Sequence, residues 1–504
     1  MASDAILLDW ISRIIGYKIK KGDYKTVSPN LPQRVAVFAE ANTANQSSLD
    51  TNPYEITSEA DAGARYGYGS PIHIIARILK PKFGGGLNGI PVIVYPQAEA
   101  AGAAAKVLTI TPTGTATASG THTVTIAGRG SIDGASYDVN IVVGDNVAAI
   151  CAKINTAIAN VLGCPMTATQ DGTKVTCTSK WKGLTADGIS ITINTNGNSL
   201  GVVYAIASTT SGSGSPSVLT SLDAFGSFWN TLIVNSYGAV SSVMTDLETF
   251  NGIPDPTTPT GRFTGSVFKP FIALTGSVLD DPTTITDGRS TQTTIALCPT
   301  PLSPGLAMEG AANYAVRVAA TAHTSPHLDV LGQSLPDMPT PANIGSMASS
   351  TNRNTFVKKG CSTVDLVNGL YVIQDFVTTY HPTGENPPQY RYVRNILLDF
   401  NVSYGLFLLE QKHVADHVIA KDDDVVTASN VIKPKQWKQI LSSYALDLAK
   451  RALIVDAAFM QASIDVNLSS SNPDRLETFF RYKRSGVARI VSTTAEAGFN
   501  YGEV

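Results

Sequence analysis

The chain has 504 residues, and this length predicts two to four domains instead of one compact core. Only 15% of the residues are charged and the net charge is -3, so there is no global basic field and nucleic-acid binding is not expected. The five cysteines include no Cys-x-x-Cys pair, which is typical of buried thiols in a reducing compartment and not of a disulfide or zinc framework.

Neither a secretory signal nor a membrane-spanning segment is expected. Residues 1–10 carry Asp4 and Asp9 and have no basic leader before an apolar stretch. No apolar run approaches the ~20 residues that a helix needs to cross a bilayer. The sequence therefore predicts a soluble protein that is made in the cytosol and not inserted in a membrane.

Residues 1–32 are predicted to form an N-terminal helix or arm. Apolar side chains recur at helical spacing between Ile6 and Ile15, and glycines interrupt the pattern soon afterwards. Residues 33–105 then follow the order strand, helix, strand. This order predicts the first part of an α/β domain.

Residues 106–215 differ in character and are predicted to form an inserted, β-sandwich-like domain. Short alternating strands rich in Val, Ile and Thr are separated by Gly and Asn. One predicted helix interrupts the strands, with Asp145 or Asn146 as its N-cap. The flanks at 98–105 and 211–216 have the small, polar composition of linkers.

Residues 216–345 return to the α/β pattern. Buried strands are predicted near 229–234, 271–274 and 294–297, with helices in the same stretch. These residues are predicted to complete one discontinuous α/β middle domain with residues 33–105.

Residues 346–485 are predicted to form a C-terminal α/β domain. A β-hairpin is expected to turn at Asn368 and Gly369, and two long amphipathic helices are expected at 393–418 and 435–454. The predicted fold class is therefore α+β or α/β multidomain, with a discontinuous α/β core, an inserted β-sandwich-like domain and extended N- and C-terminal arms.

Two strand-like runs close the sequence, at 476–480 and 487–494. An unpaired strand exposes a row of backbone donors and acceptors, so it either joins the sheet of its own core or is donated to a neighbour. We expect residues 486–504 to form a C-terminal arm, and donation would make this a self-assembling structural protein.

No motif predicts catalysis, and neither a metal nor a cofactor is expected. His413 and His417 would lie one helical turn apart, but Val414 stands where a zincin motif has Glu and no third ligand is evident. Residues 84–86 lack the Lys-Ser/Thr of a P-loop, and residues 422–424 lack the closing Glu of a calcium loop. The chain is predicted not to be an enzyme.

A basic cluster surrounds the second long helix, with Asp447 and Asp456 as its main acidic neighbours. Such a cluster is either an ordinary solvated helix face or a surface that docks on an acidic protein. Its members are Lys433, Lys435, Lys438, Lys450 and Arg451.

Several stretches resemble the tail sheath proteins of contractile-tailed bacteriophages, particularly those of the Mu-like type. They are residues 182–191, 377–380, 390–396, 411–420 and 472–476. The order of elements is similar over nearly the whole chain. At 186–188 the sequence Ala-Asp-Gly departs from the Gly-Asn-Asp that is usual in those proteins.

The resemblance implies that many copies stack around a rigid tail tube, as a helical homo-oligomer of hexameric rings, and shorten to drive the tube through the host envelope. It implies the tail tube, baseplate and tail terminator proteins as partners, and a location in the virion tail. The inserted domain would face outward, and the C-terminal helices with their basic cluster would face the tube.

The resemblance also implies that N- and C-terminal arms add strands to a small sheet on subunits of adjacent rings. The C-terminal donor would comprise Val487, Ala488, Arg489, Ile490, Val491, Ser492 and Thr493. The N-terminal donor would be Tyr24, Lys25, Thr26 and Val27, or else residues 35–38. The receiving sheet would contain Phe479, Phe480, Tyr482, Val372 and Phe376.

Three alternatives remain open from the sequence. A bacterial contractile injection particle would use a sheath of the same kind. An exported β-rich adhesin should show repeats or an export signal, and neither is evident. A metal-dependent enzyme would have to be built around His413 and His417.

Overall fold

The computed structural model describes residues 29–265, 268–342, 350–385 and 388–497. The predicted N-terminal donor at Tyr24, Lys25, Thr26 and Val27 lies outside the described residues.

The first part of the α/β core contains three strands and two helices. Ser70 caps the second helix by accepting a hydrogen bond from the His73 amide, and Pro71 occupies its first turn. The elements are β1 (Val35–Glu40), β2 (Tyr54–Glu55), α1 (Glu59–Tyr66), α2 (Pro71–Leu79) and β3 (Val92–Gln97).

The second region contains nine strands and two helices. Asn146 caps its main helix by accepting a hydrogen bond from the Ala149 amide, so of the two predicted N-caps, Asp145 and Asn146, the structure has Asn146. The elements are β4 (Ala105–Thr113), β5 (Gly120–Ile126), β6 (Ser131–Ile132), β7 (Ala135–Ser136), β8 (Asp138–Ile141), α3 (Val147–Ala159), β9 (Met166–Gln170), β10 (Val175–Lys182), α4 (Leu184–Asp187), β11 (Ile191–Asn194) and β12 (Val203–Thr210).

These strands form a four-stranded sheet in the order β12-β4-β10-β9, a three-stranded sheet in the order β11-β5-β8, and the small hairpin β6-β7. Ion pairs join the region to the α/β core. Arg129 pairs with Glu309 at 2.7 Å, and Arg77 pairs with Asp133 at 2.7 Å. The outward position of this region in an assembly stays a prediction.

The chain then returns to the core. The elements are β13 (Leu232–Asn235), β14 (Ile272–Ser277), β15 (Ile295–Pro299), α5 (Leu219–Asp223), α6 (Ser241–Asn251), α7 (Thr283–Thr286) and α8 (Ala307–Thr324). Short 3-10 turns occur at Thr43–Ser48, Gly261–Phe263 and Asp287–Arg289.

Both parts of the core meet in one six-stranded sheet with the order β15-β14-β13-β1-β3-β2. All neighbours pair in parallel except β2, and Val37 lies opposite Val94 and Val234. Every residue of β1 is buried, because helices cover both faces of the sheet. On one face, Val35 and Val37 pack in the hydrophobic cluster that contains α2 and α8. On the other face, Ala36 and Phe38 pack in the cluster that contains α5 and α6. The predicted multidomain class, with its α/β core, is confirmed.

The C-terminal part begins with short strands and contains two long helices. The elements are β16 (Ser334–Leu335), α9 (Ser350–Lys358), β17 (Thr363–Val367), β18 (Leu370–Asp375), α10 (Val393–His413), β19 (Val418–Ile419), β20 (Val431–Ile432), α11 (Pro434–Lys450), β21 (Ile454–Val455), α12 (Ala457–Ser463), β22 (Asp465–Leu468), β23 (Leu476–Phe479) and β24 (Lys483–Arg484).

The predicted hairpin is confirmed, since β17 and β18 pair through a turn in which Asn368 and Gly369 both have positive φ. Helices α10 and α11 cross closely at Gly405, where an added Cβ would lie 2.3 Å from the Tyr444 hydroxyl. Helix α10 was predicted to reach 418 but ends at His413, and Asp416 adopts a left-handed conformation that no helix continues.

All five cysteines are buried and unbonded, as predicted. Within the described residues, none of the helices combines the length and apolar character that a bilayer crossing requires.

A buried carboxyl lies at the end of the central strand. Glu40 is fully buried, its Oε2 has no hydrogen-bond partner among the described residues, and burial raises its pKa to about 8. A backbone hydrogen bond lowers the pKa but offsets only part of this rise. Glu40 is therefore neutral in the folded protein near pH 7.

We predict that Glu40→Gln makes stability less dependent on pH. Between the unfolded value of 4.5 and the folded value of about 8, the folded state holds a proton that the unfolded state has lost, so stability falls as pH rises through this window. At about 1.4 kcal/mol per pKa unit, the difference between wild type and variant should grow by up to roughly 5 kcal/mol. Urea unfolding at pH 5, 7 and 9 measures it, with exposed Glu55→Gln as the control; parallel pH profiles for Glu40→Gln and wild type would contradict the assignment.

Candidate inter-subunit site

Residues 482–485 fix the root of the C-terminal arm to helix α10. The Asp399 carboxylate accepts hydrogen bonds from Arg484 Nε at 2.8 Å and Arg484 Nη2 at 2.6 Å, and from the Tyr482 hydroxyl at 2.8 Å. Burial raises the pKa of Tyr482 well above its usual value and Asp399 adds to the rise, so the hydroxyl stays protonated and donates. A bidentate, charge-assisted pair of this kind is stronger than a neutral hydrogen bond and also fixes the orientation of the two side chains.

Ser485 is held from two further directions. Its hydroxyl and carbonyl oxygens accept hydrogen bonds from the buried Arg394 guanidinium, which also donates to the His327 carbonyl at 3.0 Å. The Ser485 amide donates to the Leu453 carbonyl at 3.2 Å, and the Ser485 hydroxyl donates to the Ala452 carbonyl. The root of the arm is thereby anchored between α10, α11 and the loop after α8.

Beyond Ser485 the described chain, to residue 497, forms no helix and no strand with its own subunit. Ile490 and Val491 are 90% and 82% exposed, although both are large and apolar. The predicted strand at 487–494 therefore does not join the core of its own chain in this structure. These two adjacent side chains give the segment an apolar surface that a partner can cover.

The hairpin β22-β23 offers unpaired edges. It is a two-stranded sheet in which Leu468 pairs with Leu476 and Asp465 with Phe479. One face lies on α11, where Trp437 Nε1 donates to the Thr478 hydroxyl at 3.0 Å, while Phe479 on the other face is 54% exposed. Among the described strands, neither β22 nor β23 has a second neighbour.

The structure does not bring the predicted receiving residues into one sheet. Phe479 belongs to the β22-β23 hairpin, and Phe480 and Tyr482 follow it and pack partly buried beside α10 and α11. Val372 lies in the separate sheet β16-β18-β17, and Phe376 is buried 5.2 Å from the Tyr314 ring. This fold therefore separates Val372 and Phe376 from the hairpin.

The N-terminal segment enters the fold beside the arm root. Asn30 donates to the His323 carbonyl at 2.9 Å and accepts a hydrogen bond from Arg451, and the Leu31 amide donates to Asn401 Oδ1 at 2.9 Å. The alternative N-terminal donor at 35–38 is wrong, because these residues lie in β1 at the centre of the six-stranded sheet, paired on both sides.

The structure divides the predicted basic cluster. Lys435, Lys438 and Lys450 are exposed and, at 100° per residue, share a face of α11 roughly 120° wide that also carries exposed Leu446. Lys433 instead donates to the carbonyls of loop 422–424, and Arg451 is engaged with Asn30.

One member of that acidic loop has a local role that sequence reasoning missed. The Asp422 carboxylate accepts a hydrogen bond from the Lys435 amide at 2.9 Å in the first turn of α11, where a negative charge favours the helix. In the sequence, the acidic run at 422–424 shortly before Pro434 is an indication of this role at the start of the helix.

His413 and His417 do not lie on one helix, since α10 ends at His413. The His417 Nδ1 contacts the Ala415 carbonyl at 2.9 Å, and burial lowers the pKa of His413. Across the described ranges, no group of three or more His, Cys, Asp or Glu side chains is placed to hold a metal ion.

This chain is similar to tail sheath proteins. One relative is the Mu-like prophage FluMu tail sheath protein of Haemophilus influenzae, 24% identical over 356 residues that cover 68% of this chain and 70% of the relative. This relative confirms the resemblance predicted from the sequence. No protein-family model matches the chain.

Two solved structures are also similar. The sheath tail protein of Desulfitobacterium hafniense has 13% identity and a TM-score of 0.44, covering 94% of this chain and all of the other. The sheath complex of an extracellular contractile injection system, in its contracted state, has 9% identity and a TM-score of 0.44, covering 97% of this chain and 99% of the other.

We predict that Asp399→Asn loosens the arm root. The substitution removes the charge that pairs with Arg484, and loss of charge-assisted hydrogen bonds costs about 2 kcal/mol. Urea unfolding measures this loss, and limited trypsin digestion should cut faster after Arg484. Exposed Asp423→Asn is the matched control, and equal stability of the two variants would refute the role of Asp399.

Proposed function

We propose that this chain is the structural subunit of a contractile tail sheath, which polymerises around a tail tube and contracts to drive the tube through the host cell envelope. The observation that carries the proposal is the anchored arm with exposed apolar residues, in a chain that also presents an unpaired hairpin. The similarity to a Mu-like tail sheath protein supports it. The protein functions by assembly and not by catalysis.

The subunits are linked by strand donation from the C-terminal arm of one copy to the β22-β23 hairpin of another. The hairpin provides backbone donors and acceptors along its free edges, and the arm provides β-branched residues. Several backbone hydrogen bonds at about 1 kcal/mol each, with apolar burial, give a link of several kcal/mol per arm. Because donor and acceptor are different surfaces, the contact is head-to-tail and builds a helical tube of stacked rings.

Contraction moves each subunit largely as a unit. The ion pairs Arg129–Glu309 and Arg77–Asp133 fasten the inserted region to the core, and the Arg129 and Glu309 side chains are mostly buried. The links through the arms keep the lattice connected while subunits shift between two packings. The extended state is kinetically trapped until the baseplate releases it.

The exposed face of α11 that carries Lys435, Lys438 and Lys450 contacts the tail tube. None of these three side chains has an ion pair within the described residues, so their charges are available to an acidic partner. Such charges fix register and speed association more than they add affinity. The assembled protein belongs to a tail particle made in the host cytoplasm, with baseplate and terminator proteins at its ends.

The function is tested directly by negative-stain electron microscopy of the purified protein. Long hollow tubes are the expected result, since the subunit carries both donor and acceptor. A monodisperse globular particle at all concentrations and salt conditions would count against a sheath.

We predict that deleting residues 486–504 leaves a folded subunit that no longer forms tubes. The root residues 482–485 keep their bonds to Arg394 and Asp399, while the deletion removes the donated strand together with Arg489 and its pair with Asp329. Sedimentation and microscopy measure assembly, and circular dichroism checks the fold. The double variant His413→Ala/His417→Ala serves as control and should assemble normally; tubes formed by the truncated chain would exclude strand donation.

We predict that replacing Lys435, Lys438 and Lys450 together with Glu leaves sheath assembly intact but reduces association with the tail tube protein at least tenfold at low salt. The reason is the reversed charge of the α11 face, whose effect weakens as salt screens it. Co-sedimentation with preformed tubes measures it. Lys174, exposed on the inserted region, provides the control substitution Lys174→Glu, and unchanged tube binding by the triple variant would place the tube contact elsewhere.

A further inference from the structure

We infer that the C-terminal arm stays bound to its own subunit as far as Arg489 and is donated to a second copy only from Ile490 onward. This rests on the proposed function and identifies which residues make the link. It moves the start of the donor from Val487 to Ile490, and it makes Arg489 the fixed point about which the donated segment turns.

The Arg489 side chain lies in a cradle on its own subunit. Its Nη2 is bonded to the Asp329 carboxylate, its Nη1 lies 4.0 Å from Asp375 Oδ1, and its guanidinium carbon lies 3.7 Å from the centre of the Tyr392 ring. The Arg489 and Asp329 side chains are only 14% and 3% exposed. A buried carboxylate, a second acidic group and an aromatic face together suit a guanidinium better than any other side chain.

Three separate parts of the fold build this cradle. Asp329 belongs to the loop after α8, Asp375 ends β18, and Tyr392 directly precedes α10. The other Asp329 oxygen accepts a hydrogen bond from the Val330 amide at 2.7 Å, which fixes the orientation of the carboxylate. All three cradle residues therefore belong to the core and not to the arm.

Residues 486–488 span two anchors. Ser485 is held by Arg394, and Arg489 by Asp329, so the three residues between them have little freedom to reach another subunit. For Val487 to pair with a neighbour, Arg489 would have to leave, and its buried pair with Asp329 would be broken. Breaking a buried pair on one side is among the more costly changes in a protein.

The chemistry changes at Ile490. Residues 490–495 carry no charge, and four of these six side chains are β-branched. As a strand, Ile490, Ser492 and Thr494 would point to one side and Val491 and Thr493 to the other. Six residues span about 20 Å, enough to cover a β22 or β23 edge of four residues.

The partner that fits this segment is the β22-β23 hairpin of a second copy. An uncharged strand needs an edge with unpaired backbone groups and an apolar neighbour, and the hairpin presents both, with Phe479 on its exposed face. The link between subunits is therefore short, since residues 486–489 add no slack to it.

Paired serine substitutions test where donation starts. Ile490→Ser/Val491→Ser should abolish tube formation with an unchanged melting temperature, whereas Val487→Ser/Ala488→Ser should form tubes as wild type does. The inference is overturned if tubes are lost with both pairs, or if only the Val487 pair matters. Failure of the proposed function gives a different result, because then the wild-type chain forms no tubes, or the chain lacking residues 486–504 forms them as wild type does.

A crosslink tests whether Arg489 stays in place in the polymer. In the variant Asp329→Cys/Arg489→Cys, a short bismaleimide joins the arm to the cradle. The five native cysteines are buried, so the reagent should react with the two introduced thiols. The crosslinked subunit should form tubes at least as well as the same variant without crosslinker. Loss of assembly on crosslinking, in a variant that assembles without the crosslinker, would show that the arm must leave the cradle.

Discussion

An exposed β-strand edge needs a partner, and this constraint governs the assembly that we propose for the protein. In the core the requirement is met internally, since β1 has a neighbour on both sides and helices on both faces. In the C-terminal part it is not met within the described chain, where β22 and β23 pair only with each other and residues 490–495 pair with nothing. Backbone hydrogen bonding is thus complete on both sides of β1, but the C-terminal part has one strand-forming segment and one sheet edge that still need partners.

Anchoring makes an unpaired strand useful instead of hazardous. A free apolar segment on a flexible tether would pair with any available edge, including edges on misassembled copies. Here Asp399, Arg394 and Asp329 hold the chain as far as Arg489, and the exposed uncharged segment begins at Ile490. The direction and reach of the segment are consequently limited by the core, which favours a regular lattice over random aggregation.

The sequence predicted the parts of the fold that depend on local patterns. The continuous apolar run at 35–40 indicated a strand buried on both faces, and Asn368-Gly369 indicated a hairpin. It did not predict contacts between distant residues: Val372 and Phe479 both look like strand residues, but nothing local says that they lie in different sheets. Arg394 and Ser485 are 91 positions apart, and a buried arginine that binds carbonyl oxygens has no sequence signature.

The two ends of the described chain meet the core at one corner. Asn30 binds the end of α8 and Arg451, while Ser485 binds the adjacent residues Ala452 and Leu453. If both arms link subunits, tension enters and leaves each copy through this corner and the end of α11. Residues 105–210 are joined to the core by Arg129–Glu309 and Arg77–Asp133, away from this corner, so in such an assembly the load would bypass them and changes in their loops would not weaken the links between subunits.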